Sequence, residues 1–90
     1  MKKGRNVRLQ KVAIINDGLY EVGYWLEGIL QNDVELGEII RIARRRRAGR
    51  TDTEPKIVEV TGICFTSPVE SISSDGTIET KNSVYKLIEL

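Results

Sequence analysis

Apolar residues in this chain alternate with polar ones over short runs, and Gly, Asn, Asp or Pro interrupts the runs at close intervals. No long window repeats its apolar positions with the helical period, so the pattern predicts strands and no substantial helix. Val, Ile, Thr and Tyr dominate the runs, as suits a pleated, half-buried surface. The first strand is expected over about Val7 to Ile15. Its apolar positions change parity, from Val7 and Leu9 to Val12 and Ile14, which predicts a bulge or bend near Gln10-Lys11. Asn16-Asp17-Gly18 reads as a hairpin turn, because these residues tolerate the positive φ of tight turns. The second strand is expected from Leu19 to Leu30. Tyr20, Val22, Tyr24, Leu26 and Leu30 would face a core, and Glu21, Gly23, Trp25 and Glu27 would face away. Gly23 and Gly28 suit the sharp coiling that a small barrel requires.

Gln31-Asn32-Asp33 turns the chain again. Val34 to Glu38 then leads into Ile39-Ile40-Arg41-Ile42-Ala43, and the arginines that follow extend that strand or form its loop. Residues 48–55 read as a polar hairpin tip, the end of a flexible basic arm over residues 44–55. A strand is expected from Lys56 to Thr66, with Val58, Val60 and Cys64 on one face and Ile57, Ile63 and Phe65 on the other. Ser67-Pro68 breaks it. Val69 to Ile72 and Thr77 to Thr80 flank Ser73-Ser74-Asp75-Gly76, a second hairpin turn. Asn82-Ser83 leads into a last strand, Val84 to Leu90. Six or seven short strands within 90 residues imply an all-β single domain. The expected form is a small antiparallel barrel, closed or half-open, with a protruding Arg-rich hairpin. A two-sheet sandwich is the alternative.

Gly28, the apolar pair Ile29-Leu30, the turn Gln31-Asn32-Asp33 and the run Val34-Glu35-Leu36-Gly37-Glu38-Ile39-Ile40-Arg41-Ile42 precede an apolar strand around Thr61-Gly62. This stretch resembles the small β-barrel domain that follows the GTPase domain in translation elongation factors. The resemblance covers a third to a half of the chain and implies a barrel. It implies no GTPase activity, since no phosphate-binding loop precedes it. The Arg run and the closing segments from Thr66 to Val69 and Thr80 to Leu87 have no counterpart in that pattern. The ending resembles short uncharacterised phage and mobile-element proteins and carries no residue over.

Charge changes the picture. The net charge is only +1, yet residues 1–11 carry five bases and no acid, and residues 12–40 carry six acids and no base. Residues 41–56 have a net charge of +5, and residues 57–90 of −3. Such segregation points to charged partners or to acidic and basic strands neutralising one another side by side. Its centre is Arg44-Arg45-Arg46-Arg47 with Arg50. Guanidinium is a planar fork that keeps its proton and grips phosphate or carboxylate in pairs of hydrogen bonds.

These arginines are the candidate nucleic-acid contacts, with Arg41, Lys56, Lys2, Lys3 and Arg5 as secondary anchors and Trp25 as a stacking surface. Trp25 packed under the Arg arm or the first strand is the competing expectation. The expected role is a non-enzymatic accessory or regulatory module that contacts nucleic acid or a complex handling it. The alternatives are a protein-binding adaptor or inhibitor, of phage or mobile-element type, acting by charge complementarity, and a homo-oligomeric structural protein.

Catalysis has little to work with. There is no His, which excludes His-based acid–base chemistry and Ser-His or Cys-His pairs. The single cysteine, Cys64, lies mid-strand and excludes an intramolecular disulfide. Asp33, Glu35 and Glu38 cluster at a turn without calcium-loop spacing, so no metal and no cofactor is expected. The basic start, residues 1–5, is followed by a run broken by Arg8, Gln10 and Lys11, so neither secretion nor a membrane span is expected. The expected location is the cytoplasm.

Overall fold

A computed structural model describes residues 1–16 and 21–90. Asp17 and Gly18 of the first expected turn, with Leu19 and Tyr20, lie outside the described residues. Among those described there is no helix. Eight strands form one antiparallel sheet: β1 (Asn6–Ile14), β2 (Trp25–Leu30), β3 (Arg41–Ala48), β4 (Ile57–Glu59), β5 (Ile63–Phe65), β6 (Val69–Ile72), β7 (Thr77–Thr80) and β8 (Ser83–Glu89). The order is β4-β3-β2-β1-β8-β7-β6, with β5 also pairing with β3. The strand ladder does not close into a barrel. Gly37 N donates to Val69 O at 2.8 Å, and Val69 N donates to Glu38 O at 2.9 Å. These bonds join β6 to the segment before β3 without a paired strand.

One side of the curled sheet holds the core. Val7 and Leu9 from β1, Leu26 and Leu30 from β2, Ile42 from β3, Val69, Ile78 and Leu87 pack with Ile40, and Tyr24, Val34, Cys64 and Tyr85 lean against them. Period-two burial in β1 brings Lys11 inside with Val7 and Leu9. Burial pushes its ammonium pKa down. The parity change of β1 is a register shift between Lys11 and Ala13, one residue beyond its expected place. Gly28 lies where β2 and β3 nearly touch: a Cβ there would sit 2.0 Å from Ala43 O. A second register shift lies opposite it, since Glu27 pairs with Arg46 while Gly28 pairs with Arg44, leaving Arg45 as the extra residue.

Two expected strands are redrawn. The second begins at Trp25, because Gly23 adopts a φ of 95° and Tyr24 N donates to Glu21 O in a turn that Gly23 N and Tyr24 O tie to Lys11 of β1. Val22, expected in the core, is 57% exposed. The strand expected over Lys56 to Thr66 is two strands, split where Gly62 adopts a φ of 91° and passes the bulged Arg45. Its two faces keep the expected parity: Val58 and Cys64 are half-buried, while Ile57, Ile63 and Phe65 are exposed. Arg44 to Arg47 extend β3, the first of the two places expected for them, with β2 on one side; on the other, Arg46 and Arg47 pair with β4, which follows β3 as the second strand of a hairpin. The hairpin over Ser73 to Gly76 lies as expected between β6 and β7, with Gly76 at a φ of 88° and its N donating to Ser73 O.

Candidate nucleic-acid interface

Alternation along β3, interrupted by the bulge, sends the four consecutive arginines to different places. Arg47 is buried, and its Nη2 meets Glu54 Oε2 at 2.7 Å. Glu54 Oε1 also accepts from the Arg50 backbone N at 2.9 Å, so one carboxylate spans the loop between β3 and β4. The hydrogen bond from Arg47, then the one from Arg50 N, hold the Glu54 pKa down to about 2. Arg44 turns along the inner side of the bulge, where its Nη2 donates to Thr61 O at 2.7 Å. Arg46 lies on the outward face and donates to Glu27 Oε1. Arg45, the bulged residue, is exposed, and its side chain makes no hydrogen bond or ion pair among the described residues.

Glu27 is the hub of the outward face. Its side chain is only 4% exposed although it points away from the core, because two guanidiniums cover it. Arg8 from β1 donates through Nε to Glu27 Oε2 at 2.7 Å, and Arg46 from β3 takes the other oxygen. Burial pushes the Glu27 carboxyl up. The hydrogen bonds and charges of Arg8 and Arg46 outweigh it, and the net pKa lies below the ordinary value. The register continues this row through Arg46 to Glu59, giving a ladder of alternating charge across four strands.

Trp25 stands beside this ladder, half-buried, with the Arg8 guanidinium 4.3 Å from its ring centre. That packing is the competing expectation for Trp25, met by an arginine of β1 and not by the Arg run. Arg41, at the other end of β3, is exposed and pairs in register with Phe65, whose ring centre lies 6.0 Å from the guanidinium. Phe65 is 60% exposed. Arg50 is exposed with its guanidinium 5.7 Å from the Tyr24 ring. Lys56 is exposed in the loop before β4.

The N-terminal cations lie apart from the Arg run. Gly4 bonds to Leu30, and Leu30 pairs with Ile42, which places residues 2–5 across β2 from the start of β3. Lys2 Nζ meets Asp33 Oδ2 at 3.4 Å, Arg5 meets Glu89 at 3.3 Å, and the Lys3 backbone N donates to Asp33 Oδ1 at 2.9 Å. Sequence reasoning therefore gathered into one grip arginines that the fold distributes over both faces. It also did not single out Arg8, which covers Glu27 and Trp25, or Phe65, which lies exposed beside Arg41. The outward parity of Phe65 was the available signal, and the position of Arg8 opposite Glu27 had none, because register is set by tertiary pairing.

Cys64 is half-buried, and burial pushes its thiol pKa up against the weaker pull of Arg44. No group of three or more His, Cys, Asp and Glu side chains suited to a metal ion occurs among the described residues. No helix among them is long and apolar enough to cross a membrane. Comparison with protein-family models, with curated proteins and with solved structures returns no match.

Proposed function

We propose that the chain is a non-enzymatic accessory module that contacts nucleic acid, or a complex that handles it, through the arginines its fold leaves outward. The observation that carries this reading is Arg45, held out of the ladder by a bulge and exposed beside Arg46. A bulged arginine has no packing reason to be there, and phosphate is a natural ligand for its fork. Arg41 on β3 and Arg50 and Lys56 in the loop that follows it are exposed and extend the contact. Arg44 and Arg47 support it from within, by holding β3 against Thr61 and Glu54. The sheet is read as a half-open barrel working in the cytoplasm, with regulation as the role.

Fluorescence anisotropy of labelled RNA and DNA over a salt series tests this, with wild type beside Arg41→Ala/Arg45→Ala. The expected result is binding at low salt, with a log–log salt slope that falls by about one unit per arginine removed. Absence of binding to any probe at low salt overturns it. A protein-binding adaptor or inhibitor is the second reading, favoured by the exposed Ile57, Ile63 and Phe65. It predicts a partner that survives nuclease treatment in a pull-down. A homo-oligomer predicts a mass that rises with concentration.

A further inference from the structure

We infer that the outward face of β1, β2, β3 and β5 is a stacking platform for a single strand of nucleic acid, with the exposed Phe65 ring as one station and the Arg8 guanidinium, itself stacked on Trp25, as the other; this rests on the nucleic-acid reading above. Register places both aromatic residues on one face. Trp25, Glu27 and Ile29 share a face of β2; Ile29 pairs with Ala43, Ala43 pairs with Ile63, and Phe65 follows Ile63 at the same parity. Trp25 precedes Leu26, which pairs with Arg47, whereas Phe65 pairs with Arg41. The intervening stretch of β3, at about 3.3 Å per residue, sets the rings roughly 20 Å apart along the strand. That reach suits a short single strand, on the order of four nucleotides.

Each station couples a ring to a guanidinium, Arg8 at Trp25 and Arg41 at Phe65, and Arg45 and Arg46 lie between them. A base that stacks on Phe65 keeps its phosphate within reach of Arg41. A duplex gains nothing from exposed rings, because its bases are already stacked on one another. Nor does a sheet face present the helix or ribbon that enters a major groove. Glu27 draws the charge of Arg8 and Arg46 inward, which leaves stacking a larger share of the binding and long-range attraction a smaller one.

The test compares four labelled probes of equal phosphate number by anisotropy: single-stranded RNA, single-stranded DNA, the DNA duplex, and an abasic strand. Wild type is set beside Phe65→Leu and Phe65→Tyr. Phe65 is exposed, so neither variant disturbs the core. The expected result is preference for base-bearing single strands over both duplex and abasic strand, with a loss of about 5-fold or more in Phe65→Leu and retention in Phe65→Tyr. Equal affinity for single strand, duplex and abasic strand overturns the platform while leaving charge-driven nucleic-acid contact standing. Binding of single strands that is unaffected by Phe65→Leu also overturns it. No binding to any probe overturns both readings together and sends the exposed face to a search for a protein partner.

Discussion

Gly28 and Glu27 are neighbours in the chain with opposite demands. Glu27 must carry a carboxylate, because Arg8 and Arg46 converge on it from the two flanking strands. Gly28 must carry nothing, because the Ala43 carbonyl and the Ile42 side chain occupy the space a Cβ would take. The obstruction is backbone, which cannot rotate away, so the strands would have to part. Gly28→Ala is therefore expected to lower stability by about 2–3 kcal/mol, the range of a forced overpacking. The measurement is urea unfolding by tryptophan fluorescence, with the midpoint falling at constant slope. A variant as stable as wild type would mean that β2 and β3 have slack at the bulge.

β3 shows how an element assigns roles to identical side chains. Four consecutive arginines would repel one another in solution. In the strand, alternation and one bulge separate them into an inner pair, Arg44 and Arg47, and an outer pair, Arg45 and Arg46. The loop that follows is anchored by Glu54. Its pKa is lower folded, about 2, than the ordinary carboxyl value of 4.5. A depressed folded pKa contributes stability that is fully present above the unfolded value and is lost as pH falls through the folded one. Stability is therefore expected to decline from about pH 4.5 toward pH 2. Glu54→Gln should be less stable than wild type at neutral pH, and the gap should close across that window. Parallel urea titrations at several pH values measure it. A constant gap would mean that the Glu54 charge contributes nothing to the loop.

At the scale of the molecule, the charge blocks find one another through strand order. The acidic block contributes Glu27 from β2, which lies between the basic strands β1 and β3. Asp33 meets Lys2, and Glu89 meets Arg5. The last two pairs are exposed and individually weak, at about 0–1 kcal/mol each. With a net charge of +1 there is little global repulsion for salt to relieve. Raising sodium chloride is therefore expected to lower stability slightly, by about 1 kcal/mol or less in total. A rise in stability with salt would show that repulsion within the Arg run outweighs the cross-strand pairs. The same screening weakens phosphate contacts far more steeply, so binding and stability should separate on a salt series.

The legible part of the fold was local. Val69 to Ile72, Thr77 to Thr80 and the turn between them follow from alternation and an Asp-Gly pair, and the structure has β6 and β7 at those positions. The parity change in β1 foretold its bulge to within a residue. The candidate site was legible only as composition. Five arginines in seven residues name a location, and side-chain period assigns some inward and some outward once a strand is granted. The bulge at Arg45 lies opposite Gly28, in the pairing of β2 with β3, which no local pattern encodes. The sequence by itself determined the strand class, the turn over Ser73 to Gly76 and the alternation of basic and acidic blocks, because these depend on backbone preferences and spacing within a few residues. Only the tertiary structure decided which strands are neighbours and in what register. That decision buried Glu27 between Arg8 and Arg46, enclosed Arg47 with Glu54 and left Arg45, Arg41 and Phe65 facing outward. The physical reason is that cross-strand pairing joins residues far apart in the chain through burial of a shared core.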